Sequence, residues 1–193
     1  MKFTTAVIAA TAASIVSASP CGKTPDDTKI NDNDIFTVLT IRSGSDLQYG
    51  QLQAANSRLL VRNPQQNASC SEDVNYASFF LQDGNLFLNT ANPPQQVFVN
   101  RSGMAQGIVG FTTGVQPLTD GAEQTTFAID ENSNLVFRSP NGMEYGFQAC
   151  PSSQGGYSVW LTGVTNPAGS SGCLGFVSRA IKADNPVSCS YTS

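Results

Sequence analysis

This sequence predicts a single all-β domain, and three features point to it. Short runs rich in β-branched and aromatic residues recur along the chain. Clusters of Gly, Asn, Asp and Ser separate them. Beyond residue 18, no window carries apolar residues at the helical period of 3.6.

In chain order, residues 1–18 read as a secretory signal peptide. Lys2 gives a positive start, Ala6 to Val16 is a small, apolar run, and Val16-Ser17-Ala18 offers the small residues a signal peptidase requires. The run is shorter than the roughly 20 apolar residues needed to span a bilayer. Residues 19–34 are polar with two prolines and read as an exposed lead-in. Residues 35–193 are then the folded all-β domain. Phe36 to Ile41 is its first strand and Ser57 to Arg62 its second. Ala77 to Gln82 and Asn85 to Asn89 flank Asp83-Gly84, a strong hairpin signal. Gln96 to Asn100 alternates, and Gly107 to Thr113 follows. Thr125 to Asp130 and Asn134 to Arg138 flank a Glu131-Asn132-Ser133 turn, and Tyr145 to Cys150, Gly156 to Thr162 and Leu174 to Ile181 complete the set.

The segment Phe79 to Leu86 echoes Phe127 to Leu135 at a spacing of about 48 residues, and Phe36 to Val61 reads as a third, eroded copy. Three repeats of four short strands suit a β-trefoil, which is the preferred architecture. A β-sandwich accommodates the same strand count.

Composition narrows the function. Only 12% of residues are charged, so the surface is neutral and polar. The formal charge is −4 and becomes −5 once Lys2 is cleaved away. With no basic cluster, nucleic acid and anionic membranes are poor partners. The sequence has no histidine, which excludes Ser-His-Asp triads, Cys-His dyads and His-ligated metal sites. No cofactor motif is present. Gly103 to Gly110 is glycine-dense, but no Lys-Ser/Thr follows, so it reads as turns. Asn31 to Asp34 and Asp130 to Asn134 look like calcium loops but lack the sixth-position glycine and twelfth-position glutamate. Glu144 is the least loop-like carboxylate, and nothing in the sequence pairs with it for glycoside hydrolysis.

Five cysteines remain after cleavage: Cys21, Cys70, Cys150, Cys173 and Cys189. In an oxidising compartment most pair. Sequence leaves the connectivity open; the favoured pairs are Cys150–Cys173 and Cys70–Cys189. The first closes about 24 residues and the second about 120, worth roughly 3 and 5 kcal/mol in the chain-entropy model. Cys21 is then left over, as a candidate intermolecular thiol, with a thiol capped by a small molecule or a different pairing as the alternatives. Asn67-Ala68-Ser69 and Asn100-Arg101-Ser102 are N-glycosylation sequons, with Asn67 the better placed. Trp160 and Tyr157 are candidates for stacking on a sugar ring, with Tyr145 secondary. The alternative for a lone Trp on an alternating strand is burial in the core.

Phe98 to Gly107, continuing through Gly110 to Pro117, resembles the signature of fungal PhiA-type (phialide) cell wall proteins. So do Asn166 to Gly169 leading to Cys173, Asn185-Pro186, Ser188 to Thr192, Ile41 to Ser45 and Asn67 to Cys70. The last four cysteines are also similar to those of yeast wall proteins with internal repeats, whose repeat units are missing here. The PhiA resemblance implies a secreted, non-enzymatic glycoprotein of a filamentous ascomycete cell wall, linked to phialide and conidium development. Its implied partners are wall polysaccharide or other wall proteins. A secreted lectin or defence/effector protein is the alternative expectation, and a hydrolase using Glu144 is a further rival.

Overall fold

The computed structural model describes Met1 and residues 29–193. The signal peptide assigned to 1–18, the lead-in as far as residue 28, and Cys21 lie outside the described residues. The end of the lead-in departs from an exposed segment: Ile30 is buried in the core, and Asn33 N donates to Leu81 O at 2.7 Å.

Alternation builds the first strand, β1 (Phe36–Ile41). Phe36, Val38 and Thr40 face inward, while Thr37, Leu39 and Ile41 are half-buried. After it come β2 (Gly50–Ala55), β3 (Arg58–Val61), β4 (Ser69–Cys70), β5 (Ser78–Gln82) and β6 (Asn85–Leu88). Next are β7 (Gln95–Asn100), β8 (Ile108–Thr113), β9 (Ala122–Glu123), β10 (Phe127–Ile129) and β11 (Leu135–Arg138). The last are β12 (Glu144–Tyr145), β13 (Phe147–Pro151), β14 (Tyr157–Leu161), β15 (Leu174–Lys182) and β16 (Cys189–Ser190). The protein is all-β, as its sequence predicts.

Eleven strands form one sheet, in the order β15-β13-β14-β8-β3-β2-β1-β5-β6-β7-β9. Further β1–β15, β14–β3 and β8–β7 pairings close it on itself, giving a nine-strand closed barrel. Closure joins the two ends of the domain: β1 pairs with β15 along its whole length, from Phe36↔Lys182 to Ile41↔Val177. A closed sheet exposes no unpaired edge there. The strands β10, β11 and β12 form a separate three-stranded sheet, and β4 with β16 a two-stranded one.

Both echoing segments are hairpins. The turn between β5 and β6 places Asp83 at φ 50° and Gly84 at φ 76°, as a two-residue turn matched to strand twist requires. Between β10 and β11, the Asp130 carboxylate closes the turn instead, accepting from Asn132 N at 2.9 Å and Asn134 N at 2.7 Å. The first hairpin belongs to the barrel and the second to the small sheet.

Phe36, Phe79, Phe111, Phe137, Leu52, Leu86 and Leu135 fill one continuous core. Phe36 stacks on Phe79 at 6.1 Å, and Phe127 meets Phe137 edge-on at 5.6 Å. A smaller cluster holds Ile108, Cys150 and Trp160. Two disulfides, Cys70–Cys189 and Cys150–Cys173, join the pairs favoured from sequence. The first links the residues that face each other across β4 and β16.

The C-terminal tail is anchored by Tyr191, whose ring is buried and whose hydroxyl accepts from Ser78 N at 3.2 Å. Burial pushes the Tyr191 phenol up to about 12 from 10.0. A raised folded-state value means that the neutral phenol contributes stability fully below pH 10, lost as pH rises towards 12. Two pH units correspond to about 2–3 kcal/mol. Denaturant unfolding at pH 9 and pH 11.5 is expected to show stability falling over this window, with the fall smaller in Tyr191→Phe. An equal fall in that variant would place its origin elsewhere.

Candidate functional site

The residues singled out in the sequence do not assemble into one site. Trp160 is 8% exposed, packed with Ile108 and Cys150, and contacts half-buried Cys173. Its ring is therefore core and not a sugar platform. Alternation sends Val159 and Leu161 into the main core, and Trp160, on the opposite face of β14, is covered by the second cluster. Tyr157 is half-buried, and its hydroxyl donates to the Asp46 carboxylate at 2.7 Å. That bond raises the Tyr157 phenol above its ordinary value. Tyr157 thus anchors the β1–β2 loop. Tyr145 lines a separate cleft of ≈270 Å³ with Arg101, Gln106, Leu161 and Thr162.

The two sequons have different surroundings. Asn67 is exposed in the β3–β4 loop, at φ 52°. Asn100 is 5% exposed. Its Nδ2 donates to Thr119 Oγ1 at 2.9 Å and Asp120 O at 3.2 Å, and its Oδ1 accepts from Ser102 N at 3.0 Å. The nitrogen that would carry a sugar is thus engaged in the fold, unlike exposed Asn67.

Carboxylates also have structural partners. Glu144 is exposed and pairs with Arg138 at 2.7 Å; it lines none of the clefts described here. Asp34 accepts from Asn31 N at 2.9 Å and Lys182 Nζ at 3.0 Å, and these bonds hold its carboxyl below the usual range. Among the described residues no group of three or more His, Cys, Asp or Glu side chains is arranged to hold a metal ion.

The feature that sequence reading passed over is a polar groove on the β2–β3 side of the barrel. Its first part, ≈250 Å³, is lined by Tyr49, Gly50, Gln51, Gln53, Arg62, Asn63 and Asn75. Asn63 also lines the second part, ≈430 Å³, with Asn56, Gln65, Asn67 and Gln154. No carboxylate lines either part. Several carboxamides act as scaffold. Gln53 binds both polar atoms of the Asn63 backbone, at 2.9 and 2.7 Å. Asn75 accepts from Gln66 N at 2.8 Å and donates to Pro64 O at 3.0 Å. These bonds fix the segment from Asn63 to Gln66 as one wall.

The loop from Ser43 to Tyr49 forms the other wall and is pinned from within. Leu47 is fully buried, and Thr40 Oγ1 donates to its carbonyl. Arg62 donates to Asp46 O and Gln48 O, each at 2.7 Å. At the end of this loop Tyr49 takes a left-handed conformation, φ 58°, with its side chain largely in solvent. That backbone costs a non-glycine residue on the order of 1–2 kcal/mol. The conformation itself depends on contacts from Arg62 and Thr40, which no local pattern reveals.

Comparison with known proteins places this geometry in context. The profile of the PhiA-like secreted protein family matches residues 36–192. The chain is 40% identical over 196 residues to cell wall protein phiA of Aspergillus fumigatus, covering all of both chains. It is 36% identical over 197 residues to cell wall protein phiA of Emericella nidulans, again covering all of both. Against cell wall protein phiA of Aspergillus niger, identity is 41% over 165 residues, 83% of this chain and 87% of that one. No solved structure matches the chain.

Proposed function

The chain belongs to the PhiA-like secreted protein family, and on that premise we propose that it is a non-enzymatic cell wall glycoprotein of a filamentous fungus. The observation that carries this reading is full-length similarity to secreted relatives named as cell wall proteins. Its role is in the formation of phialides and conidia, as the family resemblance implies. The chemistry of the chain fits: it has no histidine for nucleophilic or general-base catalysis, and few charged residues. Its partners are wall polysaccharide and other wall proteins, met through many neutral hydrogen bonds. Purified protein is expected to co-sediment with washed walls and to leave wall glucans uncleaved across a substrate panel. Sugar release abolished by Glu144→Gln would overturn the non-enzymatic assignment.

The alternative to noncovalent retention is a disulfide through Cys21, which would make release depend on reductant. The other four cysteines are bonded to one another, so an oxidised partner for Cys21 has to come from outside the chain. Wall retention of Cys21→Ser equal to that of the wild type would remove this route.

The sugar of the glycoprotein sits on Asn67, supported by its exposure and by the commitment of the Asn100 amide. Peptide N-glycosidase is expected to lower the mass of the secreted wild type, and Asn67→Gln to abolish the shift. An unchanged wild-type mass would show that Asn67 is bare.

A further inference from the structure

We infer that the groove between the Tyr49 loop and the Asn63–Gln66 segment binds an uncharged polysaccharide chain, with the Tyr49 ring as the face on which a sugar residue stacks. This deepens the wall-protein reading and rests on it.

Three observations converge on that ligand. The Tyr49 side chain is 69% exposed, yet its backbone is held rigidly: Tyr49 N donates to Thr40 O at 2.9 Å and Gly50 N to Leu47 O at 3.0 Å. On a fixed backbone the ring has only two side-chain torsions to lose on binding, and its apolar face suits the C–H face of a pyranose. Next to it the lining is carboxamide: Gln51 is exposed to solvent, while Gln53, Asn63 and Asn75 spend part of their hydrogen-bonding capacity on the wall itself. Amides both donate and accept, as vicinal sugar hydroxyls do.

The charge pattern selects against ionic ligands. Among the described residues Arg62 is the sole charged one lining the groove, and two of its guanidinium nitrogens already donate to backbone carbonyls. A phosphate or uronate would therefore find one partly occupied cation and no second. The floor is close-packed as well. A Cβ on Gly50 would come within 2.9 Å of Thr40 Oγ1 and 3.0 Å of Val61, both fully buried, so any side chain there would push the strand away from its neighbours. The second part shares Asn63 with the first but is also lined by Asn67, the proposed glycan-bearing residue, so the polysaccharide contact is assigned to the first part, beside Tyr49.

The test is calorimetric titration of the purified secreted protein with a neutral β-1,3-glucan hexamer, a chitin hexamer and an oligogalacturonate. Wild-type protein is expected to bind at least one neutral hexamer. Tyr49→Asn keeps a residue suited to the left-handed backbone and is expected to weaken binding about tenfold or more. Tyr49→Trp is expected to restore it, with thermal unfolding unchanged in both variants. Binding of neither neutral hexamer, equal affinity in Tyr49→Asn, or preference for the oligogalacturonate would each overturn the site. Co-sedimentation with washed walls separates the two levels. If Tyr49→Asn sediments like wild type while hexamer binding is absent, the groove assignment falls and the wall reading stands. If wild type fails to sediment, the wall reading falls itself.

Discussion

Replacing Cys70 and Cys189 together with serine is expected to destabilise the folded protein by about 4–5 kcal/mol, the value for closing a loop of this length in the chain-entropy model. The bond spans 119 residues, against 23 for Cys150–Cys173, whose removal is worth about 3 kcal/mol on the same model. The two strands it joins are short, two residues each, and pair with one another, while Tyr191 and Gln95 hold the adjoining tail. Losing the bond therefore loosens the β4–β16 pair as well as enlarging the unfolded ensemble. Guanidinium unfolding without reductant measures the difference. A loss below about 1 kcal/mol, or a larger loss from opening Cys150–Cys173, would contradict this ranking.

Gln95→Leu is expected to cost about 2–6 kcal/mol, because it strands two buried backbone groups at about 1–3 kcal/mol each. The Gln95 side chain behaves as a piece of strand. Its Nε2 donates to Tyr191 O at 2.8 Å, and its Oε1 accepts from Tyr191 N at 3.0 Å. Nε2 also donates to Thr113 Oγ1 at 3.0 Å. Gln95 and Tyr191 are both buried, so water does not replace these bonds without opening the tail. Leucine fills the space and satisfies neither group. Since the disulfide and Gln95 secure the same tail, their effects are expected to be non-additive by 0.5 kcal/mol or more, the usual range for coupled residues. Additive losses in a double-mutant cycle would separate the two anchors.

Local chemistry was legible in the sequence wherever it settled the outcome. The β-branched run from Phe36 to Ile41 coincides with β1, and Asp83-Gly84 supplies the turn residues its hairpin needs. The strand β2 was not seen, because Gly-Gln-Leu-Gln-Ala-Ala carries no β-branched residue. It is a strand because β1 and β3 flank it and bury Leu52, Ala54 and Ala55. The pairing of β1 with β15 joins residues from opposite ends of the domain, and local periodicity says nothing about such a contact. The sites divide in the same way. Trp160 was singled out by residue type, but its position facing Ile108 and Cys150 makes it core. Tyr49 was passed over because its exposure follows from a loop pinned by Arg62, Thr40 and Tyr157.

Similar reasoning separates the roles of polar groups. Asp34, Asp130 and Glu144 lie in sequences that resemble metal or catalytic sites, yet each carboxylate is engaged in a turn or an ion pair. The groove carboxamides, by contrast, lie beside an exposed ring with no carboxylate among them. A neutral hydrogen-bonding surface suits adhesion to polysaccharide better than chemistry on it.

Fractionation of the producing fungus tests the wall assignment most directly. Washed walls are extracted with hot detergent, first without and then with reductant, and each fraction and the medium are blotted for this protein. Retention in the walls and release by detergent alone is the expected result, since many neutral contacts hold the protein without a covalent bond. Protein found only in the medium, and in neither wall extract, would contradict a cell wall function.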